Sequence, residues 1–420
     1  MEKGIPMDKI KRKLNHLIKH FKFKKEELGE IEKMYRCEFF DPNDKAYQRL
    51  LEISKNLCDE FNQSNGKMGK DPSIFKILNT YFKKLHVLDL LFPIHGTLSS
   101  VGENLSVVIG LADFNGCGFT NRRVEFSKFS LVECENYTIF ATKIQVGSDK
   151  PIEKDGKIKL TRVHIGSDTW ICAGVKIEGG VSIGNNTVLG AGAHACESIE
   201  DNALAVGKPA KVIKKIDKSQ SIISTKQDKI GKHEDLRKTL KDLGYGNLPS
   251  SYIRLYEGKP FNSTGIRLGL MYIYTHRLCA EINSPSTTKE RREEILNILF
   301  PNHGQNLQVG KDLFVDMLGL TKIGNNVKIG DSVYFSGPVT IEDNATVGNN
   351  TLLYATGHSL VAKERRVGFS LDHLMYEYSI SGPILIKENS IVGNECVVVQ
   401  NSTVNGTIPD NSIYVKSKIL

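Results

Sequence analysis

An aliphatic residue recurs every six positions at Ile165, Ile171, Ile177, Ile183 and Leu189. The same spacing runs through Ile323, Ile329, Phe335, Ile341, Val347 and Leu353, and resumes at Ile386, Val392, Val398 and Val404. An amphipathic helix requires apolar spacings of three and four, and a lone strand a spacing of two. A period of six with Gly and Asn after many of the apolar positions fits a short strand and a turn, repeated and stacked coil on coil. The aliphatic side chain points inward, while Gly and Asn accept the positive φ of the corners. No single coil buries its inner face alone, so several must stack. The pattern is that of a solenoid.

The chain also repeats on a larger scale. Residues 35–62 align without gaps on 256–283 at an offset of 221, with Tyr35/Tyr256, Phe40/Phe261, Leu57/Leu278, Cys58/Cys279, Glu60/Glu281 and Asn62/Asn283 coinciding. "LFPIHGTLSSVG" (91–102) matches "LFPNHGQNLQVG" (299–310). At 420 residues the chain exceeds one ordinary core. Two related domains are expected. The first copy spans 29–216, the second 236–420, and the polar stretch 217–235 is read as the linker. Each copy opens with helical sequence before its six-residue period begins.

Residues 1–28 hold nine Lys/Arg against four acids, with Ile10, Leu14, Leu17, Ile18 and Phe21 at helical spacing. A basic amphipathic helix of this kind either touches nucleic acid or a membrane surface, or caps a core with its basic face in water. No aromatic base-stacking motif accompanies it, so nucleic acid is not the expected partner. No apolar run reaches the length of a membrane helix, and the start of the chain lacks the apolar core of a signal peptide, which points to the cytoplasm. The eight cysteines show no metal-ligand spacing and read as reduced thiols; no metal is expected.

The repeats resemble those of the hexapeptide-repeat acyltransferases, and within them the maltose and galactoside O-acetyltransferases. The helical openings at 30–90 and 250–300 and the segment "NTVLGAGAHACESIEDNALAVGKPAKVIKKI" (186–216) carry the likeness. The resemblance implies a mainly β fold of two left-handed parallel β-helices, each with an N-terminal helical cap. It also implies transfer of an acetyl group from acetyl-CoA to a sugar or glycan hydroxyl, in a homo-oligomer of trimer type with sites between subunits. A histidine in a "TATH" or "TGH" corner is the family's general base, and "YATGHSL" (354–360) supplies His358. An imidazole that removes the hydroxyl proton as it attacks the thioester contributes about 10²–10⁴ in rate, and it is largely neutral at pH 7. The other reading of His358 is a structural turn histidine.

The earlier "FATKIQV" (140–146) carries Lys143 where the resemblance would place that histidine. A lysine near its ordinary pKa of ~10.4 is protonated and accepts no proton. Other family positions fall on Ser100 and Asp113 (in "ADFN"), on the acceptor side, and on Met375 and Tyr376 in the loop after His358. Those on the cofactor side are Trp170, Gly207, Lys208, Lys211 and Lys214. Trp170 is equally a coil-face aromatic, and surface lysines are often merely solvated, although ammonium groups suit phosphates. Glu197 replaces a family lysine on that side, Lys328 appears where an asparagine belongs, and Ser263 where an acid belongs. Two functions therefore stand: the acetyltransferase just described, or an inactive tandem that binds a sugar or partner or serves as a scaffold. Acylation of an amine stays open beside acylation of a hydroxyl.

Overall fold

The computed structural model describes residues 5–63, 86–92, 98–101, 105–109, 111–114, 118–120, 123–217, 219, 221–222, 229–243, 248–263, 265–301, 303–365 and 378–419. The chain divides into two compact units, Met1–Ile216 and Asp217–Leu420. Both are mostly β.

In unit 1 short strands visit three sheets in rotation. One sheet contains Thr138–Phe140, Trp170–Ile171, Val188–Leu189 and Ala203–Val206. The second contains Ala112–Phe114, Ser130–Cys134, Thr161–Ile165 and Ser182–Ile183. The third contains Val124–Phe126, Ile144–Val146, Lys176–Ile177 and His194–Ala195. Neighbours among these strands are parallel and in register, as with Ile177 between Val146 and Ala195. Unit 2 repeats the plan with three sheets of its own. The period of six is thus one facet, and three facets complete a coil. The inward residues Ile165, Ile171, Ile177, Ile183 and Leu189 are fully buried, and Phe335, Ile341, Val347 and Leu353 nearly so.

The corners explain the Gly and Asn. Asn326 and Asn344 adopt φ of +57° and +60°, a region their short side chains tolerate. Asp343 Oδ1 accepts the Asn325 N–H at 2.7 Å, and Asn325 Oδ1 accepts the Gln305 N–H at 2.9 Å. A second ladder climbs from Lys311 through Asp331, Asn349 and Asn394 to Asp410. At Gly324 a Cβ would stand 2.2 Å from Asp343 Oδ1, so only glycine lets these coils approach.

The helices sit on the first coil of each unit through a repeated set of bonds. In unit 1, helix Lys45–Gln63 directs Cys58 Sγ to Val107 O (3.3 Å) and Asn62 Nδ2 to Leu105 O (3.0 Å), while Asn62 Oδ1 accepts from Leu105 N (2.8 Å). In unit 2, helix Ile266–Ile282 directs Cys279 Sγ to Val315 O (3.6 Å), and Asn283, just past its end, meets Leu313 O and Leu313 N at 2.8 and 3.0 Å. The coincidences at Cys58/Cys279 and Asn62/Asn283 are therefore a docking code. Tyr35 and Tyr252 reach equivalent carbonyls, Ile109 O at 3.0 Å and Leu318 O at 2.9 Å.

The basic helix Met7–Phe21 buries Ile10, Leu17 and Lys13. Lys13 lies over the Tyr35 ring at 5.1 Å. Lys9 pairs with Glu133 at 3.6 Å, and Arg162 also bonds Glu133. Part of its charge thus serves unit 1 itself.

Both units end by reversal. Lys211–Lys215 turns back antiparallel on Ala203–Val206, and Lys418–Ile419 on Ile413–Val415.

Candidate functional site

Among the described residues, the chain of each unit leaves the coil after a strand of the sheet on which the helix sits. In unit 1 that strand is Ile144–Val146, and the excursion forms the hairpin Ile152–Lys154/Lys157–Lys159 before re-entering at Thr161. In unit 2 the strand is Leu352–Tyr354, and the chain returns at Ile384. There Thr356–His358 pairs antiparallel with Tyr378–Ser381, which also pairs with Phe261–Asn262. This three-stranded sheet, outside the coil, carries His358.

The imidazole is half-buried. Ser379, directly opposite His358 in the register and 5% exposed, places Oγ 3.3 Å from His358 Nδ1. When Ser379 Oγ accepts a hydrogen bond from Nδ1–H, Nε2 is left as the basic atom, the tautomer a general base needs. Ser381 donates to Leu255 O, tying this strand to helix Ser250–Tyr256. Beyond His358, helix Ala362–Arg365 holds two buried charged side chains, Glu364 and Arg365.

The topology corrects the placement of the motif's counterpart in unit 1. Tyr354 follows the inward Leu353, whose equivalent is Val146. Lys143 instead turns an ordinary corner, at φ +54°, between two coil strands. The position matching His358 therefore falls in the excursion that begins at Ser148, and residues 148–160 contain no histidine.

The other expected positions divide. Trp170 is 5% exposed and aligned between Ile139 and Val188. Gly207 has φ +97° and leads through Lys208 into Lys211–Lys215, an exposed strand. Lys211 Nζ stands 3.5 Å from Glu197 Oε2, so the acid in place of a family lysine is paired with one of the cofactor-side lysines. Lys214 lies opposite Leu204. Backbones of Ser100 and Asp113 lie in strands Leu98–Val101 and Ala112–Phe114. Met375 and Tyr376 lie outside the described residues. Among those residues no cluster of His, Cys, Asp or Glu is arranged to hold a metal, and no helix is long and apolar enough to cross a membrane. Ser379 was missed by the sequence reading, because its role depends on antiparallel pairing across the excursion.

The units differ beside their helices. Unit 1 leaves a cleft of about 480 Å³ lined in part by Lys55, Asp59, Glu125, Lys128 and Asp149. At the matching positions of unit 2, His276 lies 4.7 Å from the Phe314 ring, and Phe314 stacks on Tyr334 at 5.3 Å. The Tyr334 hydroxyl donates to Asp316 at 2.7 Å; burial, then the Asp316 charge, pushes its pKa well up.

The bacterial transferase hexapeptide (six repeats) family model matches residues 162–194 and 320–355. A Staphylococcus aureus (strain Mu50) protein named as an acetyltransferase is 44% identical over 63 residues, which are 15% of this chain and 32% of that protein. The chain thus spans about a third of the length of that relative. The galactoside O-acetyltransferase of Escherichia coli (strain K12) is 29% identical over 164 residues, 39% of this chain and 77% of that protein. The crystal structure of a maltose O-acetyltransferase from Clostridium difficile 630 is 28% identical, covers 45% of this chain and 98% of that one, and superposes with a TM-score of 0.39. The chain carries the hexapeptide repeat of the bacterial transferases in both of its units, and it is similar to the galactoside and maltose O-acetyltransferases.

Proposed function

We propose that this protein transfers an acetyl group from acetyl-CoA to a sugar or glycan hydroxyl, with His358 as general base. The single observation that carries the reading is the His358 imidazole, held at Nδ1 by Ser379 on a sheet outside the coil. In that role Nε2 takes the acceptor's proton as its oxygen attacks the thioester carbonyl. The carbon–sulfur bond then breaks, and the thiolate of CoA leaves with the proton returned to it. The neutral imidazole serves because the hydroxyl is a poor nucleophile at pH 7. We assign left-handed winding to both coils and trimer-type packing to the assembly on the resemblance of the repeats. The sheet carrying Trp170 and the strand of Lys211 and Lys214 are assigned to the CoA side, where ammonium groups suit phosphates.

Unit 1 is read as non-catalytic, since its excursion has no histidine. The test is calorimetric titration of the full chain with acetyl-CoA, followed by transfer assays on a panel of glycosides. Saturable binding weakened by Lys211→Ala, with turnover abolished by His358→Ala, supports the proposal. Absence of binding at millimolar acetyl-CoA, or full turnover in His358→Ala, rejects it.

A further inference from the structure

We propose that Glu364 is a positioning residue for His358, and that the Ser221–Ile222 segment of the stretch read as a linker is a working part of the base-bearing loop. This rests on His358 being the base.

Glu364 is 5% exposed. A carboxylate at that depth must have its lone pairs met by donors. Ser359 Oγ meets it at 2.5 Å, the Ile222 N–H at 3.1 Å, and Ser221 Oγ donates to its other oxygen. Ser359 is fully buried and directly follows His358. Its hydroxyl also accepts the Val361 N–H at 3.0 Å. Its carbonyl takes Arg365 Nη1 at 2.7 Å, and the Leu360 carbonyl takes the same atom at 2.6 Å. His358 is therefore fixed on both sides: upstream by pairing with Ser379, downstream by a serine gripped through hydroxyl and carbonyl. The grip is completed by two donors that lie more than 130 residues earlier in the chain.

If those donors are withdrawn, the buried carboxylate regains hydration only by opening the loop. That opening would move the imidazole, and displacements of about 1 Å at a reacting group can cost on the order of 10²-fold in rate. In unit 1 the corresponding excursion is a plain hairpin, so this arrangement belongs to the histidine-bearing unit.

The experiment uses the full chain with Glu364→Gln and Ser221→Ala, reading steady-state transfer, acetyl-CoA affinity and the His358 ring signals by NMR across pH, assigned by difference with His358→Ala. The expected result for Glu364→Gln is a kcat lowered about ten- to a hundredfold, an acetyl-CoA affinity unchanged, and an altered titration of the His358 signals. Ser221→Ala is expected to move the same quantities in the same direction, by about fivefold in kcat, and it serves alone if Glu364→Gln does not fold. Wild-type kcat, pH profile and His358 titration in the folded variants would overturn the proposal. The two failures are distinguishable: full turnover in His358→Ala rejects the base assignment, whereas an unaltered His358 titration rejects Glu364 and Ser221 as its positioners without any turnover measurement.

Discussion

Ser379 and Ile158 hold the same place in their respective units. Each faces a phenylalanine from the opening of its own unit, Phe261 for Ser379 and Phe40 for Ile158, in antiparallel pairing. Both are nearly buried, yet only the serine can address an imidazole. Replacing Ser379 with Ala removes the hydroxyl and leaves the strand pairing intact. A neutral hydrogen bond contributes about 1 kcal/mol, so transfer is expected to fall about fivefold with acetyl-CoA affinity unchanged. Steady-state kinetics beside calorimetry check this; an unchanged kcat would remove Ser379 from the site.

The docking code at the helix ends is testable by charge. Asn62 donates to Leu105 O and accepts from Leu105 N. Asn62→Asp keeps the acceptor but sets a second oxygen against the carbonyl, so it is expected to destabilise unit 1 by about 1–3 kcal/mol. Asn62→Ala is expected to cost less than the aspartate at neutral pH. Urea unfolding of both variants would reveal the order, and equal midpoints would show that the amide contributes only shape.

Phe335 lies 1% exposed at the centre of unit 2, with its ring edge-on to Phe300 at 5.6 Å. Phe335→Ala opens a cavity between coils that the stacked backbone prevents from collapsing, with an expected cost of about 3–5 kcal/mol. Ile341→Val, one facet on, is expected to cost about 0.5–1.5 kcal/mol. A thermal melt in which both cost the same would contradict close packing of the coil interior.

Glu257 contributes to the acid limb of unit 2. Burial pushes its pKa up, but the His233 ring at 2.6 Å, the Gly231 N–H and Lys259 at 3.0 Å outweigh that and hold it at about 2. The carboxylate's pKa is thus depressed on folding, and its stabilisation is full above the ordinary value of 4.5 and fades as pH falls toward 2. Glu257→Gln is expected to lose about 1 kcal/mol at pH 7, allowing for solvent screening, and its difference from wild type is expected to shrink below pH 4.5 and vanish only as pH falls through about 2. Unfolding midpoints across that range check the sign: a variant that becomes relatively less stable on acidification would refute it.

The coil was legible because inward residues at a strict spacing leave no other fold. Which facet a motif occupies was less so. A shift of six residues carries every inward side chain onto another inward position, one facet away. "FATKIQV" and "YATGHSL" align in sequence, yet Phe140 takes the inward place of its strand while Tyr354 takes the place after the inward Leu353, and the two lie on non-equivalent sheets. Only the helix-docking bonds, repeated at Val107 and Val315, fix the origin from which facets are counted. The corner motif drew attention to His358; the Ser379 hydroxyl beside it, and the Glu364 and Ser221 bonds around its neighbour Ser359, arise through pairing and burial that no local spacing encodes.

The terminal reversals have a further consequence. A stack of parallel strands ends in a raw row of amides and carbonyls, which would template the next molecule and grow a fibre. In unit 1 the returning strand Lys211–Lys215 occupies that row and runs the wrong way for continuation. Its exposed lysines would repel a like strand arriving behind it. The segment read for its affinity to phosphate thus also acts as a stopper, keeping a protein built by stacking from stacking without limit.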